Sequence, residues 1–466
     1  MKLALPKGRL LKKTAELLQS AGFGLEEYDD RSRSYRPRST RFSSLFCKVF
    51  QEKDIPIQVT IGNYDLGICG LDWVEELQAK YPSDDLVTVG DLGYGASDLY
   101  VSASKRTGVL SLAEVSGRFE RLRIVSEYPN IAERFALKHR LRRFSILPVW
   151  GATEAYPPES AELAIVAGSS VASLADYDLV PLARVLSSSA VLVANRSSLA
   201  KGDISRLLGR LKLSEVRGSG EQLLPEARGT RVTPEAGDGT TTRLALPDGH
   251  QQRHAVQFLQ RAGIAVNDYS PPLRTRRPHI GIDNVTAKVI RPQDMPLQVA
   301  NENFDLALTG EDWLRDHLSR FPSSPVRRIA DLRFGKVKIV AVVSESLPVE
   351  DVEQLRKQMG GILPVVRVAS EYVNIADKYA RDNHLGHYKV IPTWGASEAF
   401  LPEDADLLIE NTETGRTLKK HKLRVIDTLF ESTACLISNT GVLSDRSRRR
   451  RMQHIIQLFE QTARQG

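Results

Sequence analysis

Cysteine is scarce in this sequence: Cys47, Cys69 and Cys435 are the only three in 466 residues. An odd number gives no disulfide framework, and their spacing matches no metal-ligand pattern. Long apolar runs are missing too. No stretch reaches the roughly 18 consecutive apolar residues of a membrane helix, so no span is expected. The N-terminal Met1-Lys2-Leu3-Ala4-Leu5-Pro6 is followed by Lys7, Arg9 and Lys12 before the apolar core of a secretion signal forms. A reducing cytoplasm is the expected location. Walker A, dinucleotide-fingerprint and His-Glu-x-x-His patterns are all absent, which removes three common site chemistries. Basic residues interleaved with aromatics are absent as well, so the net charge of +7 does not point to RNA or DNA. The cluster of Arg446 and Arg448 to Arg451 reads as a solvated helix face.

What is present is a globular composition, 41% apolar and 26% charged, in a chain too long for one ordinary domain. It also contains an internal repeat. Leu3-Ala4-Leu5-Pro6 recurs as Leu244-Ala245-Leu246-Pro247, and Asp54-Ile55-Pro56 as Asp294-Met295-Pro296. Gly90-Asp91-Leu92 matches Ala330-Asp331-Leu332. Glu127-Tyr128-Pro129-Asn130-Ile131-Ala132 matches Glu371-Tyr372-Val373-Asn374-Ile375-Ala376. Trp73 pairs with Trp313 and Trp150 with Trp394, at offsets drifting only from 240 to 244 residues. So long a period describes two folded bodies rather than a solenoid. Residues 215–241, rich in Gly, Ser, Pro, Thr and charge, read as the linker.

Each copy alternates strands with helices. Leu3 to Leu5 is a short strand, followed by a helical face of Leu10, Leu11, Thr14, Ala15, Leu18 and Ala21. Asp65-Leu66-Gly67-Ile68-Cys69-Gly70 reads as a buried strand ending in a glycine turn, and Arg123-Ile124-Val125 as another. The alternation predicts parallel pairing with helices on both faces, and ligands beyond the strands' carboxyl ends.

Two loops suit an anion. Lys7-Gly8-Arg9 places two cations and a glycine between a strand and a helix; its plain alternative is a basic surface turn. Glu410-Asn411-Thr412-Glu413-Thr414-Gly415 follows the strand Leu407-Leu408-Ile409, and Arg416-Thr417-Leu418 opens a helix. Gly415 permits close backbone approach, Thr412, Thr414 and Thr417 offer hydroxyls to a phosphate, and Glu410 and Glu413 offer acceptors to paired sugar hydroxyls. The alternative is an N-capping segment with Thr414 or Thr417 as cap.

In this order these residues resemble the short form of ATP phosphoribosyltransferase, twice over. In the first copy the resemblance rests on Pro6-Lys7-Gly8-Arg9-Leu10, Ser32-Arg33, Asp54-Ile55-Pro56, Asp65 to Gly70, Asp91-Leu92-Gly93-Tyr94-Gly95, Tyr128-Pro129-Asn130 and Gly151 with Glu154. In the second it rests on Asp294-Met295-Pro296, Asp331-Leu332-Arg333-Phe334-Gly335, Gly395 with Glu398, and above all Glu413-Thr414-Gly415-Arg416-Thr417-Leu418, which is similar to the family's phosphoribosyl-binding loop. The resemblance implies an α/β fold of two tandem two-domain units, periplasmic-binding-protein-like, with mixed or parallel sheets and interdomain clefts. The first copy would span 1–214 (domain I 1–98 plus 183–214, domain II 99–182). The second would span 242–466 (domain I 242–338 plus 427–466, domain II 339–426).

The implied reaction joins adenine N1 of ATP to ribose C1 of phosphoribosyl pyrophosphate, releasing pyrophosphate, with magnesium carried on the substrate phosphates. It would be the first step of histidine biosynthesis. Such a reaction needs positioning and cationic stabilisation rather than a protein nucleophile. The resemblance also implies a histidyl-tRNA-synthetase-like regulatory partner, and a sequence ending at Gly466 leads to the expectation that the long form's regulatory domain is lacking.

The copies depart from the pattern in different places. The second has Asp248-Gly249-His250 for Lys7-Gly8-Arg9. The first has Val166-Ala167-Gly168-Ser169-Ser170-Val171-Ala172-Ser173 for Glu410 to Thr417. Arg33 is kept in the first copy, with Arg274 as candidate counterpart, and Arg291 stands where the first has Gln51. The expectation is a pseudo-dimer, or a higher oligomer, with one shared site. Glu410, Glu413, Thr414, Gly415, Arg416 and Thr417 would bind phosphoribosyl pyrophosphate while Lys7, Arg9 and Arg33 serve its phosphates. Arg291, Gly395, Glu398 and Glu154 are candidates for nucleotide or phosphate contacts; for the two glutamates the alternative is a structural hydrogen bond. Trp150 and Trp394 are either adenine stackers or core, and Tyr128 and Tyr372 are expected to pack the strand-to-helix turn. Two other readings stand beside the enzyme: a non-catalytic regulatory or scaffold paralogue, and a small-molecule binding module.

Overall fold

A computed structural model describes residues 1–29, 34–199, 204, 207–216, 220–225, 241–270, 275–362 and 365–465, the side chains of 359–362 excepted. Arg33, Ser32, Arg274 and most of the expected linker lie outside the described residues.

Each copy builds two main sheets, and in the second copy Val266–Asn267 and His279–Ile280 form a separate two-stranded one. In the first copy, the strands Phe46–Phe50, Lys2–Pro6 and Leu66–Gly70 lie side by side in parallel, and Ala190–Asn195 and Leu86–Asp91 continue the sheet antiparallel. Leu3, Leu5, Ile68 and Leu192 are buried there, the apolar runs that a sheet covered on both faces requires. A second sheet holds Leu179–Ser188, Ser97–Ser104, Leu163–Gly168, Leu122–Ser126 and Phe144–Pro148 in that order.

The second copy repeats the plan residue for residue. Leu244 pairs Ala287 and Leu306, where Leu3 pairs Cys47 and Leu66. Its other sheet runs Tyr388–Pro392, Val366–Ser370, Leu407–Thr412, Val337–Ser344, Leu423–Ser432. Pairing is therefore mixed rather than purely parallel. The reason is chain path: Leu179–Ser188 passes directly into Ala190–Asn195, so the returning strand enters the first sheet against its neighbours.

The chain divides into two compact units. One comprises Met1–Pro148, Ala161–Thr233 and Trp394–Ala399; the other comprises Val149–Ser160, Pro234–Thr393 and Phe400–Gly466. Each unit thus includes one short segment from the other repeat.

Inside each unit one joint links the two sheet domains. In the first, the Glu76 carboxylate accepts from the backbone N–H groups of Asn130 and Ile131, both at 2.9 Å, and from the Asn130 amide at 2.6 Å. These are helix-opening donors with no partner inside their own helix, and a carboxylate also suits the positive end of the helix dipole. Asp316 does the same for Asn374 and Ile375 at 3.0, 2.6 and 3.0 Å. Tyr128 donates to Asp72 at 2.9 Å and Tyr372 to Asp312 at 2.6 Å. Each ring lies 4.3 Å from Trp73 or Trp313. The Glu-Tyr-x-Asn-Ile-Ala repeat is explained: it packs the turn, as its pattern led one to expect, and its tyrosine also satisfies a buried carboxylate.

Among the described residues, no helix is long and apolar enough to cross a membrane, and the three cysteines are free and buried.

Candidate functional site

The turn after the first strand is rigid. The Lys7 backbone N–H donates to Phe50 O at 2.7 Å, and Lys7 Nζ donates to Tyr35 Oη at 3.2 Å while lying 4.9 Å above that ring. Burial lowers the Lys7 pKa, and the Glu398 charge, in the same compact unit, partly offsets this. Arg9 is engaged internally. Its guanidinium donates to Glu52 Oε2 at 3.2 Å, to Asp72 Oδ2 at 3.2 Å and to Gly95 O at 3.4 Å. Burial opposes the Arg9 charge, but Asp72 and Glu52 outweigh it and the pKa rises. An incoming phosphate has to compete with both carboxylates for this cation.

Burial pushes Glu52 up to about 7, against the pull of Arg9 and with the help of Asp72. Its folded-state pKa lies above the ordinary 4.5, so folding favours the protonated form. That stabilisation is complete below about 4.5 and is lost as pH rises through about 7. Glu52→Gln, which cannot ionise, is therefore expected to flatten the fall in thermal midpoint between those values. An unchanged slope in pH-resolved calorimetry would contradict the assignment.

The second copy's equivalent turn is an ion-pair network inside the other unit. Asp248 accepts from Arg276 at 2.9 Å and from Arg291 at 3.2 Å, and Arg276 also donates to Glu154 at 2.7 Å. Burial opposes the Arg276 charge, which Glu154 and Asp248 nevertheless raise in pKa. Arg276 occupies the place of Tyr35, since Val289 and Val49 donate to their carbonyls alike, each at 2.9 Å. The change of Lys7 to an acid is therefore matched by a change of its neighbour to a base. In the second unit Arg276 pairs with the glutamate of a Trp-Gly-x-x-Glu segment, Glu154, at 2.7 Å, and in the first unit the charge of the equivalent Glu398 acts on Lys7. The segment Val149–Ser160 is held further by Arg277 and Lys288 on Glu159, at 2.9 and 2.7 Å, and by Trp150 N–H on Asp294 at 3.0 Å. A Cβ on Gly151 would come 2.8 Å from Arg291 Nε, so a side chain there would displace the Arg291 guanidinium.

The loop after Leu407–Thr412 differs sharply between the copies. Gly415 is left-handed at φ +70° and opens the helix Arg416–Lys420, which it cannot cap with a side chain of its own; its N–H is met by Thr412 Oγ1 at 3.0 Å. A Cβ there would meet nothing within 4 Å. Glu413, Thr414, Arg416 and Thr417 are exposed, while Glu410 is buried beside Asn411. In the first copy the equivalent helix, Val171–Ala175, is capped by its own Ser170, whose Oγ accepts from Ser173 N–H at 3.3 Å. In one loop the hydroxyl of Ser170 caps the helix itself; in the other the hydroxyl of Thr412 meets the glycine just before the helix. Of the singled-out tryptophans, Trp150 lies 5.8 Å from Trp313, whereas Trp394 is 37% exposed. Among the described residues no group of three or more His, Cys, Asp or Glu is arranged to hold a metal ion.

Sequence reasoning missed Arg276, Glu52 and Asn411. Only the alignment of Tyr35 with Arg276 beside Lys7 with Asp248 carried a readable signal.

The family model described as ATP phosphoribosyltransferase matches residues 51–213 and again 291–461. ATP phosphoribosyltransferase from Chlorobaculum parvum is 32% identical over 223 residues, covering 47% of this chain and 70% of that protein. The one from Thermodesulfovibrio yellowstonii is 30% identical over 223 residues, with the same two coverages, 47% and 70%. Among solved structures, the ATP phosphoribosyl transferase (HisG:HisZ) complex from Thermotoga maritima matches at 18% identity and TM-score 0.40, covering 48% of this chain and 100% of that one. An alkanesulfonate-binding protein from Xanthomonas axonopodis matches at 11% identity and TM-score 0.29, covering 49% and 74%.

Proposed function

Because the chain belongs to the ATP phosphoribosyltransferase family, we propose that it condenses ATP with phosphoribosyl pyrophosphate, giving N1-(5-phosphoribosyl)-ATP and pyrophosphate, in the cytoplasm and as the first step of histidine biosynthesis. The observation that supports this most is the contrast between the two equivalent loops. The second copy keeps Glu413-Thr414-Gly415-Arg416-Thr417 with a left-handed glycine, no side-chain cap and open space above it. The first copy fills the same helix start with Ser170.

In this reading the Gly415 loop takes the 5′-phosphate through backbone N–H groups and the hydroxyls of Thr414 and Thr417. Glu410 and Glu413 accept from the ribose hydroxyls. The leaving pyrophosphate develops charge in the transition state, and fixed cations stabilise it without reorganising. Lys7 and Arg9 are proposed for that task, together with Arg33. Magnesium enters on the substrate phosphates, so the protein's part is to bind and orient the magnesium-bound substrate. Arg291, already shared with Asp248, and Gly395 with Glu398 are proposed on the nucleotide side. Glu154, held by Arg276, is proposed there in the weaker sense of shaping the turn.

Full-length protein mixed with ATP, phosphoribosyl pyrophosphate and magnesium should develop the altered ultraviolet absorbance of an N1-substituted adenine. Lys7→Ala should lower kcat by about 100- to 1,000-fold, the usual scale for removing one charge-stabilising donor. The alternative is a non-catalytic regulatory or scaffold paralogue, favoured by the first copy's closed loop. Absence of adduct, both alone and with a histidyl-tRNA-synthetase-like partner, would select it.

A further inference from the structure

Glu410 does not stand alone in its unit. The backbone N–H of Asn411 donates to Glu410 Oε1 at 2.9 Å and its side-chain amide donates to the same oxygen at 3.1 Å. The second hydrogen of that amide reaches Tyr372 Oη at 3.1 Å, and the Tyr372 hydroxyl donates to Asp312 Oδ2 at 2.6 Å. Asp312 is buried and is fixed in turn by the Ser432 hydroxyl at 2.9 Å. The Tyr372 ring lies against Trp313, and Trp313 against Trp150, at 4.3 and 5.8 Å between centroids. Trp150 comes from Val149–Ser160, the first-repeat segment within this unit.

The first copy supplies an internal comparison. Val166 and Ala167 replace Glu410 and Asn411 there, and Tyr128 still donates to Asp72, but Arg9 takes up the rest of that carboxylate. The joint of tyrosine and aspartate is thus common to both copies. Its extension into the loop occurs only where the loop carries a carboxylate.

We propose that Asn411 and Tyr372 are positioning residues that hold the Glu410 carboxylate for the ribose hydroxyls of phosphoribosyl pyrophosphate, with Trp150 bracing the relay. The proposal rests on the reading of the loop given above. A glutamate carboxylate left to rotate has to be ordered when the sugar binds; one already gripped through Oε1 does not. The first repeat then acts on the second repeat's site through an aromatic ring as well as through charge.

Binding of magnesium phosphoribosyl pyrophosphate is measured first on the wild-type full chain by calorimetry. No binding would sink the reading of the loop, and the relay with it. Given binding, Asn411→Leu and Tyr372→Phe should each weaken it by about 3- to 10-fold, the scale of ordering one side chain. KM for phosphoribosyl pyrophosphate should rise to match, with kcat and KM for ATP within about twofold. Both substitutions cut one chain of contacts, so the double variant should bind no more weakly than either single. Trp150→Phe should bind as the wild type and Trp150→Ala should share the loss. Wild-type affinity in both Asn411→Leu and Tyr372→Phe, or losses that multiply in the double variant, would overturn the relay while leaving the loop reading intact. If Tyr372→Phe loosens the fold, Asn411→Leu, a half-buried position, carries the test alone.

Discussion

Gly415→Val should abolish adduct formation, cutting kcat/KM by about 100-fold or more, while the protein still folds. The two halves of that expectation have separate causes. At φ +70° a β-branched residue is strained, so some stability is lost. A Cβ at this position nevertheless meets nothing within 4 Å, so no neighbour in the folded chain has to move. What the added atoms obstruct is the space through which a ligand reaches the loop backbone. Two milder variants separate strain from obstruction. Gly415→Ala adds one carbon at a cost of about 1 kcal/mol in left-handed strain. Gly415→Asn tolerates the conformation better yet projects a larger side chain. If obstruction decides, binding of phosphoribosyl pyrophosphate should worsen from Ala to Asn to Val, following bulk. A loss that instead tracks the thermal midpoint would mean that the loop matters only to the fold.

Arg276→Met should destabilise the second unit by about 3 kcal/mol. Arg276 is 19% exposed and serves two carboxylates, Asp248 at 6% and Glu154 at 13% exposure. Removing it strands both in a poorly solvated place, with Arg291 alone among the described residues remaining paired to Asp248. Breaking a buried pair costs far more than the pair's net worth, because the abandoned charge keeps its desolvation penalty. Adding Glu154→Gln to Arg276→Met should therefore restore part of the loss. Urea denaturation of the single and double variants measures both effects. A single variant as stable as the wild type would show that water reaches these carboxylates and the network is ornamental.

Much of this fold was legible because its signals are local or periodic. The repeat placed Leu3 to Pro6 over Leu244 to Pro247, and the structure keeps even the strand register between them. The strand, glycine turn and helix start around Gly415 were legible because an apolar run ending in a polar, glycine-containing stretch is a local signal. The fate of the cations was not. Reading Asp248 in place of Lys7 suggested a lost positive charge, yet Arg276 restores one from 28 positions away, where no spacing rule connects the two. Likewise Glu76 and Asp316 sit in ordinary helical positions, and only the fold brings them to another helix's first turn. The mixed or parallel sheets expected are observed as mixed, and which strands run antiparallel was not legible, because the alternation of strands and helices does not encode the crossing of a strand from one sheet to the next.

The joint made by Glu76 and Asp316 has a consequence for how the two repeats drifted apart. A free N–H at a buried helix start demands an acceptor whether or not the protein ever meets a substrate. The two repeats differ there, glutamate in one and aspartate in the other, yet both keep the carboxylate. Ligand loops answer to a different judge and fall silent once their ligand goes elsewhere. A duplicated body can thus change a ligand loop while its skeleton remains under full constraint.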